Sequence, residues 1–504
     1  MRKNQMLINL VASILAFIIN IGVIFILTPF IVRNIGSEAF GFIALSNNFV
    51  IIIGVLTVAL NSMASRFISI EINSNRIEGA NKYYNSVLIS NVILSSLLIL
   101  PFTFFLVFLN SILNIPNSLI EDVKFTFLFV FINIIIALVG NIFAIGPFTK
   151  NRLDLTSIRL IQGNIIRVVI LILLFTLFDP KIFFVTLTTA VVTVFTVITN
   201  IQYTKKLLPE LKFSKDYFSI SAIKELLSSG IWNSLNQLSN VLLTQLDLLI
   251  ANIFITALAA GQFAIVNSIN SLILSLISIL TMLFVPRFLM IYSKDQRNLA
   301  NSVKVSMEFT TSLIAIPIGL FLVFGDRFFK LWLPNESESD LYLLLIVSLI
   351  ALVITSGGNM LANVFTVTNR LKIPSLVMLC TGALKVIIIL IILSITDYGL
   401  LVIPIVSAIV SILTFILFTI QYAAKCLNEE NKFFYTTIIK AILSTSVVII
   451  VSNFIEYFHE VNSWFELFWI FISVTIMSLV FINFFVLSSS SRKEIWKIFF
   501  EKSN

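Results

Sequence analysis

The sequence predicts an all-α polytopic membrane protein, in which fourteen transmembrane helices form two parallel six-helix lobes around a central cavity plus two extra C-terminal helices. Three observations lead to this fold class. Of the 504 residues, 58% are hydrophobic and only 12% are charged, whereas a soluble domain carries roughly 25% charged residues. Apolar runs of about 20 residues, long enough to cross a bilayer, recur along the chain. The chain also resembles itself when it is shifted by about 220 residues.

Hydropathy and turn residues place the fourteen helices in order. The first apolar run is too long for the removable core of a signal peptide, so we expect it to be a retained helix. The predicted spans are 8–32, 40–65, 83–109, 123–148, 157–178, 182–203, 226–252, 261–286, 303–325, 341–368, 373–395, 399–421, 435–457 and 463–488.

The Lys and Arg residues predict the orientation of these spans. With both termini on one side, 26 of the 33 basic residues fall on that side and five fall in the opposite loops, while Arg167 and Lys385 lie inside helices. Short basic loops stay in the cytoplasm, so we expect both termini to be cytoplasmic. The topology thereby accounts for the net charge of +8, and we predict no nucleic-acid partner.

Several kinds of chemistry find no support in the sequence. Two cysteines (Cys380 and Cys426) and one histidine (His459) make neither a disulfide framework nor a zinc centre. There is no GxxxxGK[ST] phosphate loop. The connections between predicted helices are short, which argues against an appended catalytic domain. We therefore expect neither an enzyme nor a metal or organic cofactor.

Five segments of the first half match five segments of the second half in the same order. In the clearest pair, GNIFAIGPFTKNRL at 140–153 aligns with GNMLANVFTVTNRL at 358–371, a shift of 218 residues. Another pair places Arg167 on Lys385. Each copy spans six helices, an even number, so the two copies are parallel repeats. The duplication predicts an N-lobe at 1–212, a C-lobe at 213–425, and helices 13 and 14 with a cytoplasmic tail at 426–504.

Three sequence runs resemble a known family. They are LTPFIVRNIGSEAFG at 27–41, the SSGIWNSLNQL…LDLLIANIF run that opens the second repeat, and FFKLWLPN at 328–335. With its repeats of six helices and two further helices, the chain resembles the Wzx-type O-antigen or capsule-repeat flippases. These form part of the multidrug/oligosaccharidyl-lipid/polysaccharide (MOP) flippase superfamily. The resemblance covers essentially the whole chain, although the second repeat has FITALAAGQF and lacks the counterpart of Gly36.

The resemblance implies a function. A Wzx-type flippase translocates an undecaprenyl-diphosphate-linked oligosaccharide repeat unit across the bacterial cytoplasmic membrane by alternating access, for surface polysaccharide export. The implied partners are this lipid-linked oligosaccharide, membrane lipids and the polysaccharide polymerase machinery, and coupling to a proton or sodium gradient is compatible with the family. Two alternatives from the same superfamily stay open: a lipid II flippase and a multidrug cation antiporter. A membrane glycosyltransferase is disfavoured because the outer loops are short.

One predicted span, 226–252, is unusually polar. Hydrocarbon cannot satisfy its polar groups, so they must meet protein or water. The stripe therefore either lines an aqueous cavity suited to sugar hydroxyls or forms a polar seam between packed helices. At 100° per residue, six of its residues fall within an arc of about 80° and a length of roughly 27 Å: Ser229, Asn233, Asn236, Asn240, Thr244 and Asp247.

Charged residues inside the predicted helices are the sharpest candidates for function. Asp247 is the only acidic residue that the predicted spans place well inside a helix; it either couples transport to an ion or is held structurally by an amide or an Arg. Arg167 and Lys385 occupy equivalent positions near the predicted bilayer centre. They are expected to bind the diphosphate, Arg bidentately and Lys as a point charge, unless one of them forms a structural ion pair.

Two asparagines and the last two helices each allow two interpretations. Asn141 and Asn359 follow a glycine in matched helices, and they either line the lobes or relieve a helix kink. The last two helices, at about 435–488, either flank a groove for the prenyl tail, as the resemblance implies, or serve only in packing.

Overall fold

The computed structural model describes residues 3–294, 296–430, 432–489 and 491–493. Across these residues the protein is all-helical, and fourteen of the described helices are long and apolar enough to cross a membrane. This result confirms the predicted fold class and helix number. The predicted cytoplasmic tail after residue 493 lies outside the described residues.

The first six spans belong to the first sequence repeat. They are α1 (Lys3–Ile35), α2 (Ser37–Asn73), α3 (Ile77–Val107), α4 (Ile120–Gly140), α5 (Leu153–Leu177) and α6 (Phe183–Leu207). A 3-10 turn at Asn141–Ala144 and a short helix at Ile145–Thr149 continue α4.

The remaining eight spans include several that change helical form along their length. Four of them are uninterrupted: α8 (Ala257–Lys294), α9 (Gln296–Trp332), α11 (Lys372–Ile395) and α13 (Lys432–Phe458). Three contain a π turn: α7 (Ile220–Asn240, π turn at Val241–Gln245, then Leu246–Phe254), α12 (Val402–Thr414, π turn at Phe415–Thr419, then Ile420–Leu427) and α14 (Trp464–Phe481, then a π turn at Ile482–Val486). The last, α10, consists of two segments, Glu338–Thr355 and Gly358–Val367.

Most helices are longer than the apolar runs that predicted them. For example, α2 covers 37 residues, whereas the apolar run suggested 40–65. Hydropathy marks only the segment that suits hydrocarbon, and helical hydrogen bonding continues through polar turns at either end. The span predicted at 341–368 differs in another way, since it is broken between Thr355 and Gly358.

Contacts between helices divide the chain into two compact units, Met1–Ala264 and Ile265–Asn504. In the first unit, α1 packs on α5, α4 packs on α6, and α2 packs on α7. In the second unit, α9 packs on both α13 and α10. Although α7 opens the second sequence repeat, it therefore packs against helices of the first.

Each unit has its own apolar core. In the first unit, Ile68 of α2, Val87 of α3 and Leu226 of α7 are fully buried in one cluster. In the second unit, Met307 of α9 and Phe434 of α13 are fully buried in another. The core of the first unit thus fixes the N-terminal half of α7 against α2 and α3.

The two NRL segments adopt the same conformation in the two repeats. Asn151 and Asn369 have left-handed backbones, with φ of 53° and 55°. In both copies the N–H of the following arginine donates to the carbonyl five residues earlier, at 2.8 Å. This is a standard way to end a helix, and its recurrence at matched positions supports the internal duplication.

Candidate functional site

The polar stripe lies on α7, whose first residues determine its register. Ser219 caps the helix, because its Oγ accepts a hydrogen bond from the N–H of Ala222 at 3.4 Å. After Asn240 the helix widens into the π turn. A π turn inserts an extra residue into the helical repeat, so the side chains after it are rotated. The stripe was predicted with 100° per residue along the whole helix. Because the π turn breaks that repeat, the residues of the stripe lie in different environments.

One edge of the stripe packs against α2. The Nδ2 of Asn233 donates to the Oγ of Ser62 at 3.0 Å, and the neighbouring Ser234 Oγ donates to the carbonyl of Val55 at 3.1 Å. These bonds match the seam interpretation for this edge. At the same seam a backbone carbonyl within the π turn accepts a hydrogen bond at 2.9 Å from the Nδ2 of Asn48.

The middle of the stripe is exposed. Asn236, Asn240 and Thr244 are all exposed on the surface of α7, and so is Ser229 near its start. Thr244 donates to the carbonyl of Asn240 at 2.8 Å, while the amides remain accessible. An exposed face of a membrane-spanning helix contacts either lipid or water, and lipid offers these amides no partner.

A glycine allows α7 to approach α2 unusually closely. A Cβ added to Gly230 would lie 1.9 Å from the carbonyl oxygen of Ala59, a backbone atom that cannot move aside. A second close approach follows near the start of α8, where a Cβ on Gly261 would lie 2.2 Å from the carbonyl oxygen of Ser37. Only glycine permits these backbone contacts, as in membrane helix pairs generally.

Asp247 lies just after the π turn and is only 5% exposed. Its burial contrasts with the exposed amides about two and three turns earlier, so the carboxylate lies in the protein interior in this conformation. Its predicted role in ion coupling stays a prediction.

The two predicted cations have different environments in their own units. Arg167 of α5 is half-buried, and its Nε is buried without a hydrogen-bond partner among the described residues. Lys385 of α11 is only 1% exposed. The sequence repeat relates the two positions, but the degree of burial differs between them.

Asn141 and Asn359 both lie where a regular α-helix is interrupted. Asn141 opens the 3-10 turn that follows α4, and Asn359 lies in the first turn after the break in α10. Both side chains are exposed. A helix irregularity thus lies at each asparagine, while both predicted roles, relieving a kink and lining the lobes, stay predictions.

The second unit contains a buried carboxylate that the sequence pattern did not indicate. Glu308 of α9 is 1% exposed and lies 2.7 Å from the Nζ of Lys440 on α13; it also accepts a hydrogen bond from the Oγ of Ser491 at 2.7 Å. The expectation that Asp247 is the only acid well inside a helix is therefore wrong. The predicted α9 began at 303, which placed Glu308 near the rim and left Lys440 with the loop residues, whereas both helices begin earlier.

A second overlooked contact holds the C-terminal end of α7. The backbone N–H of Asn114 donates to the Oδ1 of Asn252 at 3.1 Å, and the Nδ2 of Asn114 donates to the carbonyl of Asn252 at 2.7 Å. Asn252 is 1% exposed. Asn114 lies in the connection between α3 and α4, and no periodicity relates a loop residue to a helix end 138 positions away.

Comparisons with known proteins agree with this architecture. Residues 6–292 match the family model described as "Polysaccharide biosynthesis protein". The chain is 31% identical over 493 residues to the "Uncharacterized membrane protein EpsK" of Bacillus subtilis (strain 168), covering 98% of this chain and 97% of that protein.

Solved structures of low sequence identity share the fold. The lipid II flippase MurJ in an inward closed conformation matches with a TM-score of 0.71 at 14% identity, over 97% of this chain and 100% of MurJ. An inward-facing multidrug resistance MATE family transporter of the MOP superfamily matches with a TM-score of 0.65 at 18% identity, over 84% of this chain and 98% of the transporter. The chain thus belongs to the polysaccharide biosynthesis protein family, as a multi-pass membrane protein with the fold of these MOP-superfamily structures.

Proposed function

We propose that this protein translocates an undecaprenyl-diphosphate-linked oligosaccharide repeat unit across the bacterial cytoplasmic membrane by alternating access, for export of a surface polysaccharide. Membership of the polysaccharide biosynthesis family supports the saccharide part of the proposal. The MOP-superfamily fold supports a mechanism in which parallel repeats alternate the access to a shared site.

The exposed amide face of α7 is the observation that carries the proposal. Asn236, Asn240 and Thr244 are exposed within a span of 35 residues that is apolar enough to cross the membrane. Lipid would leave these groups unsatisfied at a cost of several kcal/mol each, so we infer that they face water. Amides and hydroxyls can donate and accept hydrogen bonds without charge, which suits the hydroxyls of a sugar chain.

Two cations are proposed to recognise the diphosphate. The buried Nε of Arg167 lacks a protein partner among the described residues, and a guanidinium in that condition can form charge-assisted bonds to a phosphate. Lys385 occupies the equivalent position of the second repeat, and we assign it the same role. An anionic substrate distinguishes this proposal from a multidrug cation antiporter, which would need an acidic site.

Orientation and coupling complete the proposal. The distribution of basic residues supports cytoplasmic termini. The repeats 1–212 and 213–425 are proposed as the two transport lobes, except that the N-terminal half of α7, which packs on α2 and α3, moves with the first; residues 426–504 are appended. Asp247 is proposed as the coupling carboxylate for a proton or sodium gradient, because it is buried in the same helix that presents the amide face.

The direct test is transbilayer movement of a labelled lipid-linked saccharide in vesicles that contain the purified protein. We expect movement of an undecaprenyl-diphosphate oligosaccharide to exceed that in protein-free vesicles. Lipid II and a cationic dye serve as competing substrates in parallel vesicles. Movement of lipid II alone would replace the proposal with the peptidoglycan precursor, and export of the dye alone would replace it with drug transport.

A further inference from the structure

The connection between α6 and α7 joins the two sequence repeats, and it is tied to α3 by buried side chains. The Nδ2 of Asn81 donates to the carbonyl of Glu210 at 3.1 Å, and its Oδ1 accepts the N–H of Lys212 at 2.7 Å. One amide group therefore bonds a donor and an acceptor on the same stretch of linker backbone. Asn81 is only 3% exposed.

The next turn of α3 repeats this arrangement. The Nδ2 of Asn85 donates to the carbonyl of Lys212 at 2.9 Å, and its Oδ1 accepts the N–H of Ser214 at 3.0 Å. Next to it, the Oγ of Ser86 accepts the N–H of Ser219 at 2.9 Å. Both side chains on α3 are fully buried. Five side-chain hydrogen bonds thus hold the linker backbone between Glu210 and Ser219, an arrangement that we call the strap.

The strap ends where α7 begins. Ser219, held by Ser86, is also the N-cap of α7. Within the next two turns, the hydroxyl of Tyr83 on α3 donates to the Oε2 of Glu225 on α7 at 2.7 Å. α3 therefore fixes both the starting point and the first turns of the helix that carries the amide face.

We propose that Asn81, Asn85 and Ser86 are positioning residues that hold the N-terminal half of α7 to the first repeat throughout transport. By anchoring Ser219, they fix the register of α7 relative to α2, and with it the direction in which Asn236 and Asn240 point. The transport consequence rests on the proposed function, whereas the anchoring itself does not.

The second repeat provides a natural comparison. At the shift of 216 residues that aligns Pro101 with Pro317, the segment NSV at 85–87 lies over NSV at 301–303. Asn301, the counterpart of Asn85, is exposed. The asparagine that anchors the linker in the first copy is thus exposed in the second, so within the described residues the strap is a property of the repeat junction and not of the motif. Asn301 supplies a matched control position.

Hydrogen exchange of the full-length protein tests the anchoring without any substrate. Asn81→Ala with Asn85→Ala removes four of the strap bonds and leaves the partly buried backbone groups of the linker without these side-chain partners. We expect the amides of Lys212 and Ser214, and those of the first turns of α7, to exchange at least about tenfold faster than in the wild type. Asn301→Ala should leave all of them unchanged. Equal protection in the double variant would overturn the proposal.

A disulfide between the linker and α3 tests whether the linker stays bound to α3 during transport. Asn81→Cys with Lys212→Cys is made in a background with Cys380→Ser and Cys426→Ser, and an added oxidant joins the two thiols by removing two electrons and two protons. In the reduced form we expect severalfold slower turnover of the lipid-linked saccharide with little change in its KM. Oxidation should restore the rate, because the disulfide replaces the lost bonds.

The exchange and disulfide experiments distinguish the anchoring proposal from the proposed transport function. Transport that stops on oxidation would show that the linker must leave α3, which contradicts a permanent anchor. If the wild type moves no lipid-linked saccharide, the proposed function fails, and the exchange measurement still decides whether the strap positions α7.

Discussion

Glu308 and Lys440 form an ion pair that ties α9 to α13, with Oε1 of the glutamate 2.7 Å from Nζ of the lysine. The glutamate side chain is 1% exposed and the lysine side chain 21% exposed. Ser491, shortly after the end of α14, bonds the second carboxylate oxygen. The pair therefore connects the appended helices α13 and α14 to the second repeat, which gives these two helices a definite packing role.

Breaking this pair is expected to destabilise the protein more than neutralising both partners. Lys440→Ala leaves a buried carboxylate uncompensated, at a cost of about 3–5 kcal/mol. Glu308→Gln with Lys440→Met removes both charges and should recover much of that loss. Thermal unfolding in detergent measures the difference, and Lys432→Ala, at an exposed position of the same helix, is the control. Identical midpoints for Lys440→Ala and the control would contradict an energetically important pair.

Gly230→Ala is expected to separate α7 from α2. The added methyl would lie 1.9 Å from the Ala59 carbonyl oxygen, so one backbone must move, at a cost of about 1–3 kcal/mol. Gly54→Ala on α2 is the matched control, since nothing lies within 4 Å of its added Cβ. The thermal midpoints of the two variants give the comparison. The close approach would be refuted by an alanine at 230 that is as stable as one at 54.

Removing both proposed phosphate ligands is expected to abolish transport. Arg167→Ala with Lys385→Ala should reduce flux of the lipid-linked saccharide to the protein-free level with expression near wild type, because no cation at these matched positions remains for the diphosphate. Arg167→Lys keeps the charge but loses bidentate bonding, so we expect partial activity. Lys181→Ala, at an exposed site, should transport normally. Unchanged flux in the double variant would remove the phosphate-recognition role.

Hydropathy sufficed to predict the helical fold and the number of spans because a bilayer imposes a strong rule. A span must be long and apolar. Helix ends were less predictable. The predicted start at 303 placed Glu308 near the rim of the membrane, whereas its helix begins seven residues earlier, at Gln296. Hydropathy cannot detect turns of a helix that continue beyond the hydrocarbon.

The candidate site was predicted only in part. The polar content of α7 was evident, but the π turn at Val241–Gln245 rotates Asp247 away from the regular periodicity. Periodicity along one helix also contains no information on its neighbours. Asn233 therefore could not be distinguished from Asn236, although one bonds Ser62 on α2 and the other is exposed.

Contacts between a helix and a distant loop could not be predicted from the sequence, because periodicity along one helix does not identify its neighbours. Asn81 and Asn85 appeared as polar residues at the rim of a span, and the linker that they hold lies about 130 residues away, between Glu210 and Ser214. Only the folded chain brings these groups together.

Thiol labelling of α7 tests most directly whether its amide face lines an aqueous chamber. Asn236→Cys and Asn240→Cys, made with Cys380→Ser and Cys426→Ser, are treated with a charged, membrane-impermeant reagent, and Ile231→Cys is the control because Ile231 is an exposed apolar residue of the same helix. We expect rapid labelling at 236 and 240 and little at 231. If 236 and 240 resist the reagent with and without substrate while remaining reactive after denaturation, water does not reach this face and the proposed route for the sugar does not exist.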